Sequence, residues 1–120
     1  MRISEAARHC GLSIDTIRFY ERCGLLPPIE RGPDGQRRYS ALDVDWLTLL
    51  ASLRDTGMPM KTMRHFAGLY RYGDQTIPER RKVLLEHAAH LERQRDALDR
   101  CAQILKHKLQ RYDDITEDTQ

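Results

Sequence analysis

The sequence predicts a mostly α-helical chain: a head of four short helices with an extended loop, then one long helix of coiled-coil type. Three observations carry that prediction. Glycine and proline recur at short intervals as far as Pro78 and then stop. Serine stands at cap positions ahead of several of the segments between them. Leucine or tyrosine recurs every seven residues from Leu84 to Tyr112.

The elements follow in order. Ser4 reads as the N-cap of a helix ending at Cys10, with Gly11 as its left-handed stop. Ser13 caps a second helix over 14–22, closed by Gly24. Pro27-Pro28 bars helix, and Glu30 to Tyr39 reads as loop or ribbon turning at Pro33-Asp34-Gly35. Ser40-Ala41-Leu42-Asp43 is a capping pattern with Asp in the place of Glu. A third helix over 41–55 then carries Leu42, Trp46, Leu49, Leu50 and Leu53 at helical spacing. Gly57 ends it. A fourth helix, 60–72, buries Met63, Phe66, Ala67 and Tyr70, and Gly73-Asp74 breaks it.

The last helix is expected over 77–112. Leu84, Leu91, Leu98, Leu105 and Tyr112 take one core position of its heptad. Ala88, Arg95, Ala102 and Leu109 take the other, Arg95 snorkelling or pairing with an acid. A helix of ~50 Å is long for so small a head. Pairing with a second copy therefore outranks folding back, and the alanines let two axes approach. Residues 113–120 read as an acidic disordered tail. The expected divisions are 1–75, 76–112 and 113–120.

Composition narrows the function. The chain has 120 residues and 8 aromatic side chains, enough for a small core but not for a large substrate cavity besides. No apolar run approaches ~18 residues and no secretory signal opens the chain, so the expected location is cytoplasmic, away from membranes. Three widely spaced cysteines without a CxxC make neither a disulfide framework nor a zinc finger. The net charge of +2 is uneven: residues 113–120 hold four acids and no base, so the rest of the chain is basic. A basic body permits nucleic-acid binding without proving it.

Two short helices around Gly11 satisfy the spacing of a helix-turn-helix: Ala7 where the helices cross, Gly11 in the turn, Ile17 packing back. Leu12 and Tyr20 or Leu25 extend that core. The free face of the second helix is then Asp15, Thr16, Arg18, Phe19 and Arg22. Arg18 and Arg22 reach phosphate or guanine edges, and Thr16 can donate to phosphate. The loop with Arg31, Gln36, Arg37, Arg38 and Tyr39 fits a wing that grips the DNA backbone. Any one of these arginines alone reads as solvated surface charge. The ordered combination is what points to a winged helix-turn-helix.

Residues 3–72 resemble the DNA-binding half of the MerR family of bacterial transcription regulators. The matching segments are Ile3-Ser4-Glu5-Ala6-Ala7, Gly11-Leu12-Ser13, Thr16-Ile17-Arg18-Phe19-Tyr20-Glu21 and Gly24-Leu25-Leu26-Pro27-Pro28. Arg37-Arg38-Tyr39-Ser40, Asp43-Val44 and Leu53-Arg54-Asp55-Thr56-Gly57-Met58 continue the match. The resemblance implies a homodimer held by an antiparallel coiled coil, docking in successive major grooves. It implies promoter DNA that is bent and untwisted, RNA polymerase at the same promoter, and a response to an effector. Arg18, Tyr20 and the Arg37-Arg38-Tyr39 wing meet DNA by that resemblance. The candidate contact set is Ser13, Thr16, Arg18, Phe19, Tyr20, Arg22, Arg31, Gln36, Arg37, Arg38 and Tyr39. The candidate dimer set is Leu84, Ala88, Leu91, Leu98, Ala102, Leu105, Leu109 and Tyr112.

The departures bear on the effector. Pro59 stands where the family often has a serine cap. The cysteine pair of metal-sensing members and the four-cysteine cluster of redox members have no counterpart, so neither metal nor cofactor is expected. Ser52 stands in the neighbourhood where electrophile-sensing members carry cysteine. Cys10 reads as core and Cys23 as a helix end. Cys101, beside the heptad seam, is the one candidate sensor, weighed against packing there. His87 and His90 read as solvated. No catalytic set converges, so no enzyme is expected. The alternative is a helical adaptor using the same fold on protein; a steep salt dependence of DNA affinity separates the two.

Overall fold

The computed structural model describes residues 1–118. Five α-helices follow one another: α1 Ile3–Cys10, α2 Ile14–Arg22, α3 Ala41–Asp55, α4 Met60–Tyr72 and α5 Ile77–Asp118. A one-turn 3-10 helix, Asp74–Thr76, joins the last two. Packing divides the chain into a head, Met1–Val83, and an arm from Leu84 onward.

Helix α1 begins two residues earlier than Ser4 implies. Arg2 is its N-cap, and the Ala6 N–H donates to the Arg2 carbonyl at 3.0 Å. Gly11 ends it at φ 76°, a conformation glycine adopts without steric cost. Ser13 caps α2, its hydroxyl accepting the Thr16 N–H at 3.0 Å. Both halves of the capping box form at α3: Asp43 N–H to Ser40 Oγ and Ser40 N–H to Asp43 Oδ2. Asp therefore suffices where Glu is usual. Pro59 precedes α4 without a side-chain cap.

The head core is laid by α1, α2 and α3, with α4 closing it against α3. Ala6, Ile17, Leu47 and Leu50 are fully buried, and Tyr20, Leu25 and Met63 nearly so. Ala6, rather than Ala7, is the small residue shut inside; Ala7 is only half-buried. The inward face of α3 is Val44, Trp46, Leu47, Leu50, Ala51 and Leu53. Leu42 is 75% exposed, because it lies in the first turn outside that stripe. Trp46 donates its indole N–H to the Leu25 carbonyl at 2.8 Å and stacks on Phe66 and Tyr70. Tyr70 is thus a partly exposed lid on the stack, not a core residue.

The head extends beyond the expected boundary at 75. The Thr76 hydroxyl is shared between the Leu69 and Gly73 carbonyls at 2.6 and 2.7 Å, closing the end of α4. Arg80 donates to Thr76 and Gly73, and its guanidinium lies 5.3 Å from the Tyr70 ring centroid. The first turns of α5 are therefore built into the head.

The arm corrects the expected tail. Helix α5 has 42 residues, about 63 Å at 1.5 Å each. It runs to Asp118 where disorder was expected from 113. No glycine or proline follows Pro78, and local bonds carry the helix on: Gln110 to Asp114 at 3.0 Å, Thr116 to the Tyr112 carbonyl at 2.9 Å. The rest of the expected tail, 119–120, lies outside the described residues. His87, expected to be solvated, is buried; it shares a face with the half-buried Leu84 and Leu91.

Candidate nucleic-acid interface

Helix α2 presents Asp15, Arg18, Phe19 and Arg22 to solvent, as its helical spacing predicts. Ile17 and Tyr20 face inward and fix the helix against α1. Thr16 is half-buried, and its hydroxyl accepts from that of Ser13 at 2.8 Å. The Arg22 guanidinium lies 6.0 Å from the Phe19 ring centroid.

The wing is a narrow ribbon. Arg31 and Arg37 form an antiparallel bridge, with Gly32 N–H to Gln36 carbonyl at 2.8 Å and Arg38 N–H to Glu30 carbonyl at 2.7 Å. Its tip turns through Gly32 to Gly35, where Gly35 adopts φ 78°. Asp34 locks the turn by accepting the Gln36 N–H at 3.1 Å. That bond, with Arg38 and Arg2 nearby, holds the Asp34 carboxyl below the usual carboxylate range.

The base of the wing is tied to the N-terminal residues. Met1 N donates to the Tyr39 carbonyl at 2.8 Å, and Tyr39 N–H to the Met1 carbonyl at 2.7 Å. Arg2 reaches across to Gln36 at 2.6 Å and to Asp34 at 3.1 Å. Arg37 donates its Nε–H to Glu21 of α2, also at 2.6 Å. Arg31 donates to the Gly35 carbonyl, and Arg38 pairs with Asp34 at 3.4 Å. Such exposed ion pairs contribute only about 0–1 kcal/mol each. Their importance lies in orientation.

Between α1, α2 and the wing lies an open concavity of about 440 Å³. Arg2, Ser4, Arg18, Arg31, Arg37 and Tyr39 line it, with Glu21 the one acid. Tyr20 and Tyr39 stand apart from the expected contact surface: each is only 1% exposed. Neither hydroxyl has a hydrogen-bond partner among the described residues. Burial, with the Glu21 charge nearby, raises the Tyr39 pKa above its ordinary value. Arg54 lies close enough to Tyr20 for the two side chains to interact electrostatically.

The remaining sequence candidates fall on the arm. Leu98, Leu105, Leu109 and Tyr112 are exposed, as are Ala88 and Ala102. Arg95 pairs with Glu92 at 3.5 Å. Cys101 is exposed, Cys10 buried and Cys23 between the two. Sequence reasoning missed Arg2, Glu21 and Asp34 as parts of the site. Their partners lie 32, 34 and 16 residues away, beyond any local pattern.

Known proteins are similar to this chain in sequence and in fold. The family described as MerR HTH family regulatory protein matches residues 1–67, and that described as MerR, DNA binding matches residues 44–108. An uncharacterized HTH-type transcriptional regulator of Haemophilus influenzae is 38% identical over 91% of this chain and 81% of its own length. The HTH-type transcriptional regulator AdhR of Bacillus subtilis is 32% identical over 76% of this chain and 65% of its own length. The crystal structure of HiNmlR, a MerR family regulator lacking the sensor domain, bound to promoter DNA, superposes with a TM-score of 0.82 at 37% identity. It covers 90% of this chain and 86% of that one. The chain belongs to the MerR family of helix-turn-helix transcriptional regulators.

Proposed function

We propose that this regulator binds double-stranded promoter DNA as a homodimer and distorts it in response to an effector. RNA polymerase is the partner at the same promoter. One observation carries the DNA reading: the concavity between α2, the recognition helix of this reading, and the wing holds four arginines against one acid. Arg18 and Arg22, exposed on α2, are the candidates for base edges; Arg31, Arg37 and Arg38 are those for phosphate.

The test is affinity against salt. DNA binding releases counterions, so log K falls linearly with log salt. Arg37→Ala is expected to weaken all duplexes alike and to reduce that slope by about one unit. Arg18→Ala should cost more on a duplex selected by the protein than on random sequence. A flat salt response in the wild type would favour the adaptor reading.

The dimer reading rests on the exposed apolar seam of the arm, and Cys101 on being the most exposed of the three thiols. A Cys101→Ser variant that still responds to aldehydes or oxidants at the cognate promoter removes Cys101 as the sensor.

A further inference from the structure

We propose that Glu21 is a positioning residue for DNA docking: it holds Arg37 of the wing with its guanidinium fork turned outward. The inference rests on the DNA-binding reading above. Charge alone argues against an acid here. Glu21 sits on the recognition helix, in the wall of a concavity otherwise lined by arginines. A carboxylate beside the path of a phosphate backbone repels it.

The geometry gives the reason for its presence. Glu21 Oε1 accepts from Arg37 Nε, the inner nitrogen, at 2.6 Å. A guanidinium carries five N–H donors in a rigid plane. Pinning the inner one leaves the two terminal nitrogens without a hydrogen-bond partner among the described residues. Those are the donors that meet a phosphate in bidentate fashion. The Glu21 side chain is itself only 26% exposed, so it is a firm support.

The pair also spans two elements. Arg31 and Arg38 are held by the wing's own turn, but Glu21 reaches from α2 to a residue 16 positions on. It sets the wing against the recognition helix. Docking then orders one long side chain fewer, and that ordering is a cost of association.

The two readings of Glu21 predict opposite signs. Removing an acid from a DNA-facing surface tightens binding if charge alone matters. Removing a support weakens it. Full-length wild type and variants are titrated against a duplex selected from a random pool by the wild type, and against random-sequence duplex. Glu21→Ala is expected to weaken both roughly five- to tenfold, the order of one charge-assisted contact. Its salt slope falls by about one unit. Glu21→Gln keeps the acceptor and restores binding to within about twofold. In an Arg37→Ala background, Glu21→Ala brings no further weakening, and relief of its repulsion tightens binding slightly.

Arg37→Lys keeps the charge but lacks the inner N–H and the planar fork, so it is expected to bind more weakly than wild type and less weakly than Arg37→Ala. If Glu21→Ala fails to fold, Glu21→Gln decides the matter: binding more than about twofold tighter than wild type would mean that the charge of Glu21 alone matters. Tighter or unchanged binding by a folded Glu21→Ala overturns the proposal. So does an equal loss in the Arg37→Ala background, or wild-type affinity in Arg37→Lys. If the wild type binds no duplex in a salt-dependent way, the DNA reading itself falls. If it binds and Glu21→Ala does not weaken it, only the role of Glu21 falls.

Discussion

The head and the arm use apolar side chains in opposite ways. In the head, Leu47 and Leu50 are fully buried, and the stacked Trp46 is 8% exposed. In the arm, Leu98 is 70% exposed, Leu105 56% and Leu109 61%. Both stretches are helical and both carry leucine at regular spacing. The head folds four helices onto one another and closes its core within one chain. A single helix has one curved surface and nothing to close against. Its helical geometry is complete, while its apolar seam stays exposed.

The largest expected effect tests the closure of the head. Leu50→Ala should destabilise the fold by about 2–5 kcal/mol, the cost of a cavity in a packed core. Leu98→Ala, the same chemical deletion in the arm, should change the unfolding of a dilute chain by less than about 0.5 kcal/mol. Denaturant titration followed by circular dichroism measures both. Equal losses would mean that the arm is already packed in the single chain.

A second substitution addresses the seam. Leu98→Lys with Leu105→Lys should leave a folded head on a monomeric chain, because paired charges at heptad core positions face each other across a coiled coil. Sedimentation equilibrium reads the mass directly. An unchanged dimer would move the interface elsewhere.

A third, smaller effect belongs to the boundary between wing and core. Ser40→Ala removes one half of the capping box of α3 and should cost about 1 kcal/mol of head stability. Urea midpoints of the two proteins, compared at equal slope, give the value. No shift would mean that Asp43 alone satisfies the helix start.

The smallest effect concerns the exception to the comparison, His87, a buried residue of the arm. Burial, with His90 beside it, lowers its pKa below the ordinary histidine value of 6.5. The unfolded chain therefore takes up this proton at a higher pH than the folded one. Its contribution to stability is fully present above 6.5 and is lost as pH falls from there toward the depressed folded value. Unfolding midpoints across that window should drop in the wild type and stay flatter in His87→Gln. Parallel curves would show that another group sets the slope.

Local chemistry was legible along the chain. Gly11, Ser13 and Ser40 act within a few residues of themselves, so turn and cap patterns place α1 to α3 with little error. The heptad from Leu84 to Tyr112 is likewise a property of spacing. Where the local reading failed, a longer range decided. Tyr20 and Tyr39 count as contact residues by family resemblance, but packing buries both rings, and for Tyr20 that agrees with its place in the helix-turn-helix core pattern. The helix past Asp113 was hidden by its acidic composition, since side-chain bonds between Gln110 and Asp114 are weak signals in a string of letters.

The sequence by itself determined where α2, α3 and α4 start and stop, which residues lie on the free face of α2, and that an apolar seam runs along the arm. These depend on backbone preference and on periods of three to seven residues. Only the tertiary structure decided how the basic residues are aimed. Arg2 meets Asp34 and Gln36, and Arg37 meets Glu21, through contacts made by folding the chain back on itself. A charge in a sequence has a sign but no direction. Its direction is set by the partner that holds it, and that partner is chosen by the fold.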